Sequence, residues 1–344
     1  MRGELMAKSM EVLVTIPFNE AQQLQIREAA HGIRVKFAPA RHVEDIPDEI
    51  WNKVEILYTD RVLPAVEQAP LLRWVQFHYA GIDFALDAPL LQRPGLLTSN
   101  LSGSASSQVA EYILWMLLAF GHQFHALTAN QAARDWPADR WELFAPRELR
   151  GSTVCLVGYG SIGRQVARLL QPFNARVLAV KRDAMHPEDT GYTPDGMGDP
   201  SGDYFTRLYP TQALKSVLKE SDFIVICVPL TTETKHLIGE EELAVCKPSA
   251  ILVNISRGEI VDETALLLAL QEKRLSGAAL DVFTHEPLLP DNPLWGLPNV
   301  VITPHIAGIS CEYNQRAASL FAENLDRYAR GLTPLNLVKL EVGY

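Results

Sequence analysis

Cysteine is scarce in this chain, four among 344 residues, and no two of the four form a C-x-x-C pair. Cys155, Cys227, Cys246 and Cys311 supply neither a disulfide framework nor a zinc cluster, and two of them fall inside apolar, strand-like runs. They read as buried, reduced thiols of a cytoplasmic protein. Histidine clusters are lacking as well. His122 and His125 stand at helical spacing with no carboxylate nearby, so no metal is expected. The longest strongly apolar run, Tyr112 to Phe120, is far short of the ~20 residues that cross a bilayer, which excludes a helical span. Residues 1–10 contain Arg2 and Lys8 but no apolar core of a signal peptide, and they read as a short lead-in to a strand at Glu11. Cationic excess is absent. With 31 Lys and Arg against 41 Asp and Glu, the net charge is -10 and no basic stripe appears, so nucleic acid and membrane surfaces are excluded as partners. There is no fixed-period repeat and no low-complexity tract.

What is present is an ordinary globular mixture, 47% hydrophobic and 21% charged, in a length that suits two domains. Short apolar runs alternate with helical patterns from end to end, which predicts an α/β fold built on parallel sheets. The first strand candidates are Val12–Ile16, Val35–Phe37, Ile56–Tyr58 and Trp74–Phe77, with a helix over Glu20–Ala30. Residues Asn100–Ser107 are small and polar, a candidate hinge, and a strongly apolar helix follows over Gln108–Leu127. A second series has strands at Thr153–Val157, Arg176–Val180, Phe223–Val228, Ile251–Ile255, Ala278–Val282 and Val300–Thr303. Its helices fall at Arg164–Leu170, Leu214–Leu218 and Glu263–Lys273, and a last one spans Glu312–Arg330. Ala184–Pro210, rich in Gly, Pro and Asp, reads as a surface insertion.

Gly158, Gly160 and Gly163 form a G-x-G-x-x-G directly after an apolar strand and directly before a helix. The first glycine permits a tight turn, the second lets a pyrophosphate approach, and the third allows close packing of helix on strand. The full strand–turn–helix context selects a dinucleotide site over a mere glycine-rich turn. The strand that follows ends in Lys181-Arg182, where an acidic residue for the adenine ribose is expected. Two cations there suit a 2′-phosphate and favour NADP over NAD; the alternative is that both are solvated and Asp183 reaches the ribose.

Three further segments sit at strand-to-loop positions: Asn254–Asp262, Ala279–Pro287 and Ile302–Gly308. Taken singly, Arg257 can pair with a surface acid, Glu286 can cap a turn before Pro287, and His305 can be a core histidine. Together, in this order and after this glycine loop, they resemble the D-isomer-specific 2-hydroxyacid dehydrogenase family, glyoxylate/hydroxypyruvate reductases included. The resemblance runs from about Trp74 to about Arg330.

That resemblance implies two Rossmann-like or flavodoxin-like domains, with the cofactor domain (104–308) inserted into the substrate domain (1–103 plus 309–344). It implies a homodimer, to which the apolar helix is suited. It also implies an NAD(P)-dependent oxidoreductase acting on a small 2-oxo or 2-hydroxy acid of D configuration. In that reaction Arg257 binds the substrate carboxylate and polarises the carbonyl, and His305 donates the proton. Glu286 pairs with His305 and raises its pKa, so reduction should fail as pH rises through that value. His285, beside Glu286, is taken as ordinary. By the same resemblance Ser161 and Ile162 contact the pyrophosphate, and Val228 and Pro229 flank the adenine. Ile255, Ser256 and Asp281 lie near the nicotinamide, while Ala307 and Gly308 close its far side. Tyr79, Ala80 and Gly81 match the substrate loop. With His78 and Tyr79 there in place of a cation, small or apolar substrate tails fit better than a phosphorylated one, and Trp136 and Trp141 are candidates to wall the pocket. The rival readings are an NAD(H)-sensing interaction protein of the same fold and a phosphite-type dehydrogenase.

Overall fold

The structure is a computed structural model and describes residues 9–189 and 191–340. The expected lead-in lies largely outside them, and Met10 already belongs to a strand. In chain order the elements are β1 (Met10–Val14), α1 (Glu20–Arg27), β2 (Ile33–Phe37), α2 (Asp48–Trp51), β3 (Ile56–Thr59), β4 (Trp74–Phe77) and β5 (Leu97–Ser99). There follow α3 (Ser106–Gly121), α4 (Phe124–Ala133), α5 (Arg140–Leu143), β6 (Thr153–Val157), α6 (Ser161–Leu170), β7 (Arg176–Val180) and β8 (Arg207–Tyr209). The last are α7 (Leu214–Glu220), β9 (Phe223–Ile226), α8 (Glu240–Ala244), β10 (Ile251–Asn254), α9 (Glu263–Gln271), β11 (Gly277–Leu280), β12 (Val300–Ile302) and α10 (Tyr313–Ala329). The chain separates into two compact units at Ala105–Ser106 and Ile309–Ser310.

The first unit holds a parallel sheet in the order β2-β1-β3-β4-β5, the strand order of flavodoxin-like folds. Trp51, Leu57, Trp74, Val75 and Phe77 are wholly buried in it. α1 starts where Asn19 and Gln22 cap each other reciprocally, and it packs on α10. From α10, the buried Asn324 amide donates to Gln76 Oε1 at 3.0 Å and ties the helix to β4.

The second unit holds a seven-stranded parallel sheet, β12-β11-β10-β9-β6-β7-β8. Its central strands β6, β9, β10 and β11 are buried at every residue. Strands covered on both faces need continuous rather than alternating apolar sequence, and TVCLV, FIVI and GAAL supply it. The two-domain, parallel α/β architecture is the expected one.

Several local expectations need correction. The apolar helix does not run unbroken to Leu127. Gln123 takes a left-handed φ of 52°, which ends α3 and starts α4. Ala184–Pro210 is no mere surface insertion, since it contains β8 and Asp199, which is only 2% exposed. Cys155 and Cys246 are buried and unpaired as expected, but Cys311 is exposed. Trp136 and Trp141 are 82% and 78% exposed, each beside the Arg140 guanidinium, so neither is enclosed within its unit.

One buried group makes the first unit sensitive to acid. His78, just beyond β4, lies among the rings of Phe18, Tyr58 and Tyr313, and its Nδ1 is 2.7 Å from the Tyr58 hydroxyl. Burial pushes its pKa down to about 4. In acid the unfolded chain binds a proton that the folded imidazole refuses, so this contribution is intact above pH 6.5 and fades towards pH 4. At pH 4 the loss approaches about 3 kcal/mol. Urea midpoints at pH 7 and pH 4.5 should differ less in His78→Gln than in the natural chain, and equal differences would place the acid sensitivity elsewhere.

Candidate active site

One row of residues crosses the larger sheet in register: Tyr209, Val180, Val157, Ile226, Asn254, Leu280 and Ile302. Each is the last residue of its strand, and the expected site residues of this unit follow directly after. Gly158 to Gly163 follow β6, Lys181 and Arg182 follow β7, and Val228 and Pro229 follow β9. Ile255 to Arg257 follow β10, Asp281 and Glu286 follow β11, and His305, Ala307 and Gly308 follow β12. The strand order reverses between β6 and β9. Open parallel sheets form their ligand crevice at such a point, outside the carboxyl ends of the strands.

Two of the three loop glycines are demanded by the protein itself. Gly158 has φ 108°, and a Cβ there would stand 2.7 Å from Cys227 O. At Gly163 a Cβ would stand 2.4 Å from Gly158 O. Gly160 is different: it is exposed, and beyond its own chain neighbours no protein atom lies within 4 Å of where its Cβ would be. It is the N-cap of α6, with Ser161 and Ile162 half-buried in the first turn. An open backbone at a helix N-terminus fits an approaching pyrophosphate. Beyond β7, Lys181 Nζ is drawn back to donate to His186 O at 2.6 Å, and burial beside Arg164 lowers its pKa. Asp183 accepts from Met185 N and pairs with His186 Nδ1. The Arg182 guanidinium is largely exposed, 3.8 Å from Glu233.

Arg257, Glu286 and His305 are linked by one connected set of contacts. Gly258, next to Arg257, packs so closely on the Phe283–Thr284 backbone that a Cβ would fall 1.9 Å from Phe283 C. The Phe283 N–H donates to Glu286 Oε1 at 3.0 Å, and Glu286 Oε2 lies 2.7 Å from His305 Nδ1. Glu286 therefore caps its own turn and pairs with the imidazole at once. His305 is half-exposed and sits at a left-handed φ of 53°, uncommon for a residue with a side chain. Its N–H donates to Asp281 O at 2.9 Å. The Asp281 carboxylate, 1% exposed, accepts from Thr303 Oγ1 (2.6 Å), Ile306 N (2.9 Å) and Ala307 N (2.9 Å). Its visible task is to hold the loop that carries His305. Ile255 is buried, and the Ser256 hydroxyl donates to Ile226 O at 3.1 Å.

In the first unit the Tyr79–Gly81 loop is exposed to half-exposed. The carbonyls of Tyr79 and Ala80 are turned inward, accepting from Leu101 N (3.2 Å) and Asn100 Nδ2 (2.8 Å). In trans, planar peptides this directs the N–H groups of Ala80 and Gly81 outward.

Sequence reasoning missed the supports of this arrangement. Asn254 accepts from Ser256 N (3.1 Å) and donates to Arg257 O (3.0 Å), bracing the arginine turn from both ends. Its signal was an asparagine closing a buried strand. Tyr112 and Gln108, both on α3, bond to Thr303 Oγ1 at 2.7 Å and Gly308 O at 2.6 Å. Nothing local to α3 announces partners so distant in sequence.

Comparison with known proteins decides the family. Residues 114–307 match the family model described as "D-isomer specific 2-hydroxyacid dehydrogenase, NAD binding domain". The chain belongs to the D-isomer specific 2-hydroxyacid dehydrogenase family. It is accordingly an NAD(P)-dependent oxidoreductase acting on CH–OH groups. A glyoxylate reductase from Korarchaeum cryptofilum is 37% identical over 295 residues, covering 83% of this chain and 82% of the relative. The structure of a family member from Aeromonas salmonicida superposes with TM-score 0.79 at 30% identity, covering 96% of this chain and 99% of that one. Another, from Xanthobacter autotrophicus Py2 in complex with NADPH and MES, gives TM-score 0.81 at 26% identity, covering 98% and 100%. Among the described residues no cluster suits a metal ion, and no helix is long and apolar enough to cross a membrane.

The glycine contacts separate two kinds of requirement. Gly258→Ala should lower the melting temperature by many degrees or prevent folding, because backbone stands where its methyl would go. Gly160→Ala should melt within a few degrees of the natural chain. Calorimetry of both checks this, and equal stabilities would refute the close packing at Gly258.

Proposed function

We propose that this chain interconverts a small 2-oxo acid and its D-2-hydroxy acid, the bound nicotinamide supplying or taking the hydride at C2. The observation that carries the reading is the 2.7 Å pairing of His305 Nδ1 with Glu286 Oε2, on loops packed against the turn of Arg257. With Nδ1 held by the carboxylate, Nε2 is the ring nitrogen left to give a proton to the nascent alkoxide and to take it back in oxidation. Arg257 offers a planar fork of donors for the substrate carboxylate and for the carbonyl oxygen as it gains charge. The outward N–H groups of Ala80 and Gly81 are suited to a carboxylate, and Tyr79 stands beside them. The glyoxylate reductases among the relatives support a small substrate tail.

For the cofactor we propose that Gly158, Gly160, Ser161, Ile162 and Gly163 hold the pyrophosphate and that Val228 and Pro229 flank the adenine. Ile255, Ser256, Asp281, Ala307 and Gly308 border the nicotinamide. NADP(H) is the favoured form. With Lys181 Nζ spent on His186 O, the preference rests chiefly on Arg182. The Xanthobacter relative's complex with NADPH supports that choice. A homodimer is proposed through the face formed by α3 to α5, where Trp115, Phe124, Leu127, Trp136, Trp141 and Leu143 expose apolar area.

His305→Asn should lose on the order of 10²–10⁴-fold in kcat while NADPH still binds, as loss of a general acid predicts. Turnover near that of the natural chain would end the assignment. Glyoxylate, hydroxypyruvate, larger 2-oxo acids and phosphite, each assayed with both cofactors, separate the substrate classes. Cofactor binding without any turnover would favour a sensor instead.

A further inference from the structure

The connection from β7 to β8 has no helix among the described residues, yet it is firmly anchored. Asp199, in its second half, is buried. Its carboxylate accepts from Gly202 N (3.1 Å), Asp203 N (2.8 Å), Tyr204 N (3.0 Å) and the Tyr159 hydroxyl (2.5 Å). Tyr159 is the residue between Gly158 and Gly160, and its ring is buried edge-on against Phe205. Arg164, at the end of the first turn of the same motif's helix, is 1% exposed and donates to Asp199 O and Pro187 O, both at 2.5 Å. Its guanidinium lies 4.8 Å over the Tyr159 ring. Its Nε makes no hydrogen bond but stands 3.3 Å from Asp189 Oδ2. From the other side Lys181 grips His186 O.

These contacts join two things that a dinucleotide must meet together. One is the glycine turn, whose backbone opens outward at Gly160 while the neighbouring tyrosine is pulled inward. The other is the stretch from Lys181 to Asp189, which includes the residues facing the ribose side. We propose that Tyr159, Arg164 and Asp199 are positioning residues for cofactor selectivity. They lock the ribose-side loop to the glycine turn, so that Arg182 and Asp183 are presented in one geometry. The proposal rests on the reading that a dinucleotide binds at this turn. The lock touches none of the reacting groups. Those follow β10, β11 and β12, two to four strands from β6, or about 10–19 Å at the usual strand spacing. Loosening it therefore acts on binding and on discrimination, not on the chemical step.

Tyr159→Phe is the deciding variant. It removes the hydroxyl from Asp199 and keeps the ring under Arg164, whereas Asp199→Asn strips a buried arginine of a neighbouring charge and endangers the fold. Steady-state kinetics of Tyr159→Phe with NADPH and NADH should show KM for the preferred cofactor raised about tenfold, as expected for losing one charge-assisted hydrogen bond. The NADPH-to-NADH ratio of kcat/KM should shift severalfold, with kcat at saturating cofactor little changed. A folded Tyr159→Phe with a lower melting temperature but unaltered KM values and ratio would make the cluster purely structural and overturn the proposal alone. A natural chain that binds neither dinucleotide in a fluorescence titration would overturn the underlying reading, and the proposal with it.

Discussion

The parallel hydrogen-bond ladder of the larger sheet sets everything that follows. Because its strands keep register from Tyr209 across to Ile302, their ends form a single edge. Residues separated by more than a hundred positions in sequence leave the sheet at the same height. Parallel strands need crossovers, so each strand end must open into a loop, and each loop can carry chemistry without disturbing the ladder. The glycine turn and the Arg257, Glu286 and His305 loops are brought to one edge by this rule, and the contacts among the last three then fix their relative positions. A one-residue slip of β10 would turn every side chain of that strand to the opposite face and displace Arg257 along the edge by about 3.3 Å.

This explains which features were legible in the sequence. Buried parallel strands have to be continuous apolar runs, so β6, β9 and β10 announce themselves. Loops at the strand ends contain polar residues with no packing reason to be there, such as Arg257 after a buried strand. Short or borderline elements were not legible. β8 has three residues inside a Gly- and Pro-rich stretch, and β5 ends in Thr-Ser. The break at Gln123 has only Gly121, two residues earlier, to mark it, and the apolar pattern runs on past that glycine. Long-range supports were silent for a different reason. The bonds from Tyr112 to Thr303 and from Tyr159 to Asp199 are made by residue types whose partners the local pattern does not name.

Polar burial in this unit is concentrated where loops need fixing. Asp281, Asp199 and Arg164 are each enclosed, a costly state for a charged group unless its hydrogen bonds are met. Asp281 and Asp199 meet that cost with donors from the loops they organise. In both cases backbone N–H groups converge on one carboxylate, converting a flexible segment into a single conformation. Arg164 does the converse, gathering carbonyls.

The two carboxylates that serve His305 divide the work in a way their burial dictates. Asp281 is sealed from water and acts on backbone, accepting from Ile306 N and Ala307 N while its own carbonyl takes His305 N. That grip stabilises the left-handed backbone at His305, which a side-chain-bearing residue adopts only when its surroundings insist. Glu286 is partly exposed and acts on the ring. Its second oxygen is tied to Phe283 N, and the Phe283 backbone lies against Gly258. The orientation of the imidazole is thus set through the same backbone contact that sets the arginine turn. A shift at Gly258 would move the His305 ring and the arginine turn together, which is why glycine at that position is a condition of their arrangement and not only of the fold.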